Sequence, residues 1–128
     1  MTRLKILAAA GTVLLAACAV SADTGTPAKV VDTAHGKVLA DARGMTLYTF
    51  DRDAPGKSNC NGPCAQNWPP LMAAADAKPT GDWTVVTRDD GSKMWAYKGK
   101  PLYLWVKDQK PGDTTGDGVN NVWHVARP

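Results

Sequence analysis

From Val30 onward, polar and apolar residues alternate in short runs separated by glycine. Lys37–Asp41 (KVLAD) is followed by Met45–Asp51 (MTLYTFD), and Lys93–Tyr97 (KMWAY) by Pro101–Lys107 (PLYLWVK). A period of two predicts strands with one residue in two on each face. A polar residue and a glycine join each pair of runs, Arg43-Gly44 in one and Lys98-Gly99 in the other, which is a hairpin signal. On the second strands, Leu47 and Thr49 face away from Tyr48 and Phe50, and Leu102, Leu104 and Val106 face away from Tyr103 and Trp105. Pro101 opens its strand, where a missing N–H is tolerated. Trp83–Thr87 (WTVVT) is a further strand candidate, and Met72–Lys78 (MAAADAK) reads as a short helix or an irregular link.

Laid against itself at an offset of about 55 residues, the chain matches Gly36 to Gly91, Gly44 to Gly99, Leu47 to Leu102 and Tyr48 to Tyr103. In the same register Phe50 matches Trp105, Asp53 matches Asp108 and Trp68 matches Trp123. Two repeats follow, about 34–72 and 89–127, each a strand, turn, strand, loop and tryptophan-bearing closing segment. The expected fold is all-β: one small domain of two quasi-twofold-related β-hairpin repeats, packed as a sandwich or a partly closed barrel. Composition agrees. All 12 acidic residues are aspartate, a turn former and poor helix former, and 12 glycines and 9 prolines leave long helices little room.

The N-terminus has a different pattern. Arg3 and Lys5 precede an apolar run, Ile6 to Ala17, far shorter than the roughly 20 residues a membrane span needs, so it reads as a secretory signal. Leu15-Ala16-Ala17-Cys18 resembles the lipobox of bacterial lipoproteins. That resemblance implies a signal peptide at 1–17 and a mature chain starting at a lipid-modified Cys18, whose acyl chains suffice for stable anchoring. Cleavage after Val20-Ser21-Ala22, leaving a free protein, is the alternative. Residues 18–29 read as a tether and 30–128 as the folded domain. Ala19, where a retention signal would place aspartate, favours an outer membrane facing the periplasm or cell surface. Loss of Arg3 and Lys5 brings the net charge of +3 close to neutral, and no basic run remains to suggest nucleic acid.

With Cys18 assigned to lipid, Cys60 and Cys64 remain, in CNGPC. In an oxidising compartment the expectation is a structural disulfide. A redox-active dithiol and a metal site are the alternatives. The first usually has two residues between its cysteines, and the second needs further ligands at a recognisable spacing.

The motifs Tyr48-Thr49-Phe50-Asp51-Arg52-Asp53 and Tyr103-Leu104-Trp105-Val106-Lys107-Asp108, together with CNGPCAQNWPPL and PGDTTGDGVNNVWHV, resemble the bacterial secreted-repeat lipoproteins. That family carries two copies of a Tyr-x-(Phe/Trp/Tyr)-x-x-Asp motif. The resemblance covers nearly all of the domain and implies export, frequent lipid anchoring and no assigned activity.

Candidate chemistry is sparse. Asp113 to His124 (DTTGDGVNNVWH) partly follows a calcium loop, with Asp113, Asp117 and Gly118 in place, but Thr115 and His124 stand where carboxylates belong. His35 and His124, with Met45, Met72 or Met94, are candidate copper or haem ligands, although no CxxCH motif or paired-histidine spacing is present. Ser58 and Ser92 sit in turns with no paired base, and Asp51, Asp53 and Asp108 are placed to cap backbone amides. Most of the 5 tryptophans, 3 tyrosines and single phenylalanine are needed as core, with a cleft lined by Tyr48 and Tyr103 as the alternative. The expected function is therefore a lipid-anchored envelope protein acting as a binding or structural module for an envelope protein or small ligand. It has no resident cofactor and is more a module than an enzyme. The alternative is a periplasmic redox, metal or haem-handling accessory.

Overall fold

The computed structural model describes residues 26–128. The signal segment 1–17, Cys18 and most of the 18–29 tether lie outside the described residues. Among the described residues seven strands form, in the order β1 (Lys29–Thr33), β2 (Gly36–Ala40), β3 (Tyr48–Phe50), β4 (Trp83–Thr87), β5 (Lys93–Tyr97), β6 (Lys100–Pro101) and β7 (Trp123–Val125). They make three small antiparallel sheets, β1-β2, β3-β7 and β4-β5-β6, with no closed barrel among the described residues.

Local chemistry explains the turns. Lys98 and Gly99 both have positive φ, 52° and 84°, the geometry of the two-residue turn whose twist suits a hairpin. The first repeat needs a wider connection. There Asp41 accepts from the amides of Arg43 and Met45, and Gly44 takes a φ of 89°. Both hairpins between the predicted runs form, but β2 reaches the motif strand only through the bridge Ala40 to Thr46. Each repeat also begins one strand earlier than residues 34 and 89, because β1 pairs along the whole of β2 and β4 along β5. Met72–Lys78 is an irregular link: Met72 bridges to Met94, and Ala77 N–H donates to the Ala74 carbonyl.

The motif strands then leave their own hairpins. Tyr48 pairs with Tyr103 at the centre of the molecule. Beyond that contact the repeats cross: the first repeat's closing residue Pro70 pairs with Tyr103, and the second repeat's Val125 pairs with Tyr48. Each repeat thus supplies the closing strand for the other.

The predicted two faces become two cores, one on each side of these central strands. Tyr48, Tyr103, Trp68, Trp123, Val38, Val86 and Met94 fill the first. Leu47, Leu102, Leu39, Leu71, Trp83 and Ala126 fill the second. Burial on both faces is unusual for antiparallel hairpins in so small a domain, and it is what the crossed closing segments make possible.

Candidate functional site

The motif residues lie at the crossing point. Tyr48 and Tyr103 are fully buried, so they belong to the core and do not line a cleft. The Tyr48 hydroxyl donates to Asp108 Oδ2 at 2.6 Å, and the Tyr103 hydroxyl donates to Asp53 Oδ2 at 2.7 Å. Each tyrosine therefore bonds the aspartate of the opposite repeat. Both aspartates also cap a loop as expected. Asn59 N–H donates to Asp53 at 2.7 Å, and Thr115 N–H and Oγ1 donate to Asp108 at 2.9 and 2.6 Å. Burial, reinforced by the neighbouring carboxylate, pushes both phenols well above the ordinary tyrosine range and keeps them protonated. Burial likewise raises Asp53, against the opposing pull of the Asn59 amide, the Tyr103 hydroxyl and Arg88.

The remaining motif rings join a file of four. Phe50 stacks on Trp123 with centroids 4.2 Å apart, Trp123 on Trp68 at 3.8 Å, and Trp68 on Trp105 at 3.9 Å. The quasi-twofold relates Phe50 to Trp105 and Trp68 to Trp123, so the file is nearly symmetric. Trp68 and Trp123 are buried, while the outer rings Phe50 and Trp105 are half-buried.

The two unequal loops differ in what stabilises them. In the first, Cys60 and Cys64 form a disulfide with Cα atoms 5.2 Å apart, at the start of the five-residue helix α1 (Pro63–Asn67). Arg88, 6 % exposed, reaches in from the end of β4. Its Nη1 donates to Ser58 Oγ at 2.9 Å and its Nη2 to the Cys60 carbonyl at 2.9 Å, and Ser58 Oγ lies 2.6 Å from the Tyr103 hydroxyl. The buried Arg88, Ser58 and Tyr103 and the half-buried Asp53 thus form one chain of hydrogen bonds. Sequence reasoning missed its first two members. Arg88 precedes Asp89-Asp90-Gly91 and looks like a turn residue, and Ser58 looks like a loop serine.

The second loop uses its carboxylates on its own backbone and on neighbouring side chains. Asp113 accepts from the amides of Gln109 and Lys110, and the ammonium of Lys110 holds its carboxyl below the usual range. Asp117 Oδ1 accepts from Val125 N–H, while Oδ2 faces His35 Nδ1 at 3.1 Å. His124 Nε2 lies 2.8 Å from Asp51 Oδ2, so Asp51 engages a side chain and does not cap a turn. Of the candidate ligands, His35 and Asp117 pair with each other, while His124 pairs with Asp51 and Asp113 with Lys110. No three histidine, cysteine or acidic side chains converge on a metal position among the described residues.

One surface feature remains. Two adjoining hollows of about 290 and 270 Å³ share Thr49, Asp51, Lys98 and Lys100. Their floor is apolar, with Phe50, Pro101, Leu102 and Val125, and their rim carries Lys98, Lys100, Arg127 and the Asp51–His124 pair. The lysines form no ion pair among the described residues.

No curated protein and no solved structure matches the chain. A lipoprotein family model, described as a secreted repeat of unknown function, matches residues 29–72 and again 84–127, one match for each repeat and each starting at or next to a hairpin's first strand. The two matches span most of the folded domain and contain both Tyr–Asp motifs, and the chain belongs to this secreted-repeat family.

Proposed function

We propose that this secreted-repeat protein is anchored by lipid at Cys18 in the bacterial envelope and that its domain is a binding module. Its ligand seats in the groove between β3, β7 and the β5–β6 turn. The observation that carries the reading is the contrast between interior and groove. Every buried side-chain nitrogen and oxygen among the described residues already has a partner, so the interior holds the fold together. The groove, by contrast, presents cations over an apolar floor. Such a surface suits a small ligand with one anionic group and an apolar body. The lipobox-like Leu15–Cys18 supports anchoring, and no helix among the described residues is long and apolar enough to cross a membrane. Ala19 favours the outer membrane as destination.

Two measurements test this. Replacing Cys18→Ala should release the protein from the membrane fraction and abolish incorporation of a labelled fatty acid; unchanged labelling excludes Cys18 as the anchor. Titrating benzoate into the 26–128 domain, followed by amide NMR, should give saturable shifts at Thr49, Leu102 and Val125. Inorganic phosphate should bind more weakly, since it lacks an apolar body. No saturable shift with either probe would remove the groove as the binding site.

A further inference from the structure

The four-ring file has neighbours that give it chemistry of its own. Tyr48 meets Trp68 edge-on at 5.4 Å and 80°, and Tyr103 meets Trp123 edge-on at 5.2 Å and 89°. Both phenols already donate to a carboxylate, Asp108 and Asp53 respectively. Indole is among the most easily oxidised side chains, and van der Waals contact between its faces lets an electron vacancy move from ring to ring. A phenol gives up an electron readily only when its proton leaves at the same time. A carboxylate already hydrogen-bonded to the hydroxyl is in position to take that proton.

We propose that the Trp105–Trp68–Trp123 file and the Tyr103–Asp53 pair form a one-electron relay that carries oxidising equivalents from the surface to a buried tyrosine. The oxidant is a diffusing oxygen-centred radical. It takes one electron from Trp105 and leaves as its anion, and Trp105 becomes an indole radical cation. Trp68 and then Trp123 pass an electron outward and restore the ring before them. Tyr103 finally gives an electron to the Trp123 radical cation and its hydroxyl proton to Asp53. The products are closed-shell tryptophans, a neutral tyrosyl radical and a protonated Asp53. No atom is lost and one electron has crossed the domain.

Three observations favour this direction. Trp105 is half-buried and therefore reachable, with Lys107 Nζ 5.9 Å from its ring centre, while Trp68 and Trp123 are shielded. Phe50, at the other end, is much harder to oxidise than indole and closes the file on the groove side. Both phenol oxygens have a further hydrogen-bond partner, Tyr48 the Gly116 amide at 3.1 Å and Tyr103 the Ser58 hydroxyl at a shorter 2.6 Å, with Ser58 itself bonded by Arg88. With Tyr103 donating to Asp53, Ser58 donates to the Tyr103 oxygen and continues to do so after the proton has left, which stabilises the radical. Burial also makes Asp53 a stronger base than an ordinary aspartate. Trp83 and Trp95 pack in the second core, apart from the file.

Pulse radiolysis of the intact oxidised domain with azidyl radical, which oxidises indole selectively, tests the relay. The expected result is decay of the tryptophan radical absorption with matching first-order growth of tyrosyl absorption. The rate should be independent of protein concentration and slower in D2O than in H2O. Tyr103→Phe should remove most of the tyrosyl signal, whereas Tyr48→Phe should leave most of it. Asp53→Asn should slow the growth and reduce the solvent isotope effect. Second-order decay of the tryptophan radical without tyrosyl growth in the unmodified protein overturns the proposal, and needs no variant to fold. Undiminished tyrosyl growth in a folded Tyr103→Phe protein overturns the assignment of the trap.

Discussion

Tyr48 and Tyr103 exchange both of their backbone hydrogen bonds: Tyr48 N–H donates to the Tyr103 carbonyl at 2.8 Å, and Tyr103 N–H to the Tyr48 carbonyl at 3.0 Å. The quasi-twofold axis passes between them. Their side chains then bond the aspartates of opposite repeats, so the Tyr-x-aromatic-x-x-Asp motif is completed across the pair and not within one copy.

The first consequence concerns the isolated repeats. A fragment of residues 26–78 has Asp53 without its tyrosine and Tyr48 without its aspartate, and half of each core is exposed. Each fragment, 26–78 or 79–128, should show no near-ultraviolet dichroism alone, and mixing them should restore the spectrum of the whole domain. A cooperative thermal transition in either fragment alone would show that the crossing is dispensable.

The crossed hydrogen bonds also set local stabilities. Tyr103→Phe leaves the partly buried Asp53 without its phenol donor, and Tyr48→Phe does the same to Asp108. Each should lower unfolding free energy in urea by about 1.5–3 kcal/mol, the range for hydrogen bonds to charged groups. Tyr97→Phe, on a half-buried ring at the edge of the second core, should stay within about 0.5 kcal/mol.

Asp53 gives a pH dependence of definite sign. Its folded pKa is raised by burial, so the native state binds a proton more readily than the unfolded chain. Stability from this group therefore rises as pH falls through the folded value toward the ordinary aspartate pKa of about 3.9, and is lost again above it. The exposed Asp89 and Asp90 and the half-buried Asp113, lowered by Lys57, Ser92 and Lys110 respectively, act in the opposite direction. Asp53→Asn removes only the first contribution. Its melting temperature should fall more steeply than that of the unmodified domain as pH is lowered from 6 toward about 4; parallel curves would count against the raised value.

Much of this architecture was legible because it is written as alternation and repetition. Leu47 and Tyr48 fall on opposite faces, Asp53 and Asp108 cap loops, and Trp68 and Trp123 occupy matching places, all from period two and one offset. Periodicity within a run says nothing about which distant strand it pairs with, however. The crossing of Pro70 onto Tyr103 and of Val125 onto Tyr48 was therefore invisible, as was the partnership of Tyr48 with Asp108. Arg88 was hidden for a different reason. Its turn-like neighbours suggest exposure, and only the path of the disulfide loop buries it.

That loop offers a further test. Closing so short a ring with Cys60–Cys64 is worth about 2 kcal/mol by loop entropy, so replacing both cysteines with alanine should cost that much and leave a folded domain. Arg88→Met removes donors to Ser58 and the Cys60 carbonyl from a buried position and should cost about 3 kcal/mol. Both changes loosen residues 58–64, so the triple variant should lose less than the sum. Strict additivity would mean that Arg88 does not act through this loop.

Gly116 tests the packing of the aromatic file itself. A Cβ at this position would lie 2.8 Å from Trp68 Cη2, 3.0 Å from Trp68 Cζ3 and 3.0 Å from Tyr48 Cε1, so the obstacle is steric. Its amide also donates to the Tyr48 hydroxyl at 3.1 Å, so a displaced tyrosine loses this bond as well as its fit. Gly116→Ala should therefore cost about 1–3 kcal/mol, the range for overpacking a core, and alter the near-ultraviolet dichroism of the stacked indoles. The two closest atoms belong to the benzo ring of Trp68, which phenylalanine lacks. Trp68→Phe should accordingly be less damaging in the Gly116→Ala background than alone, a favourable coupling in the double-mutant cycle that two independent packing defects would not produce.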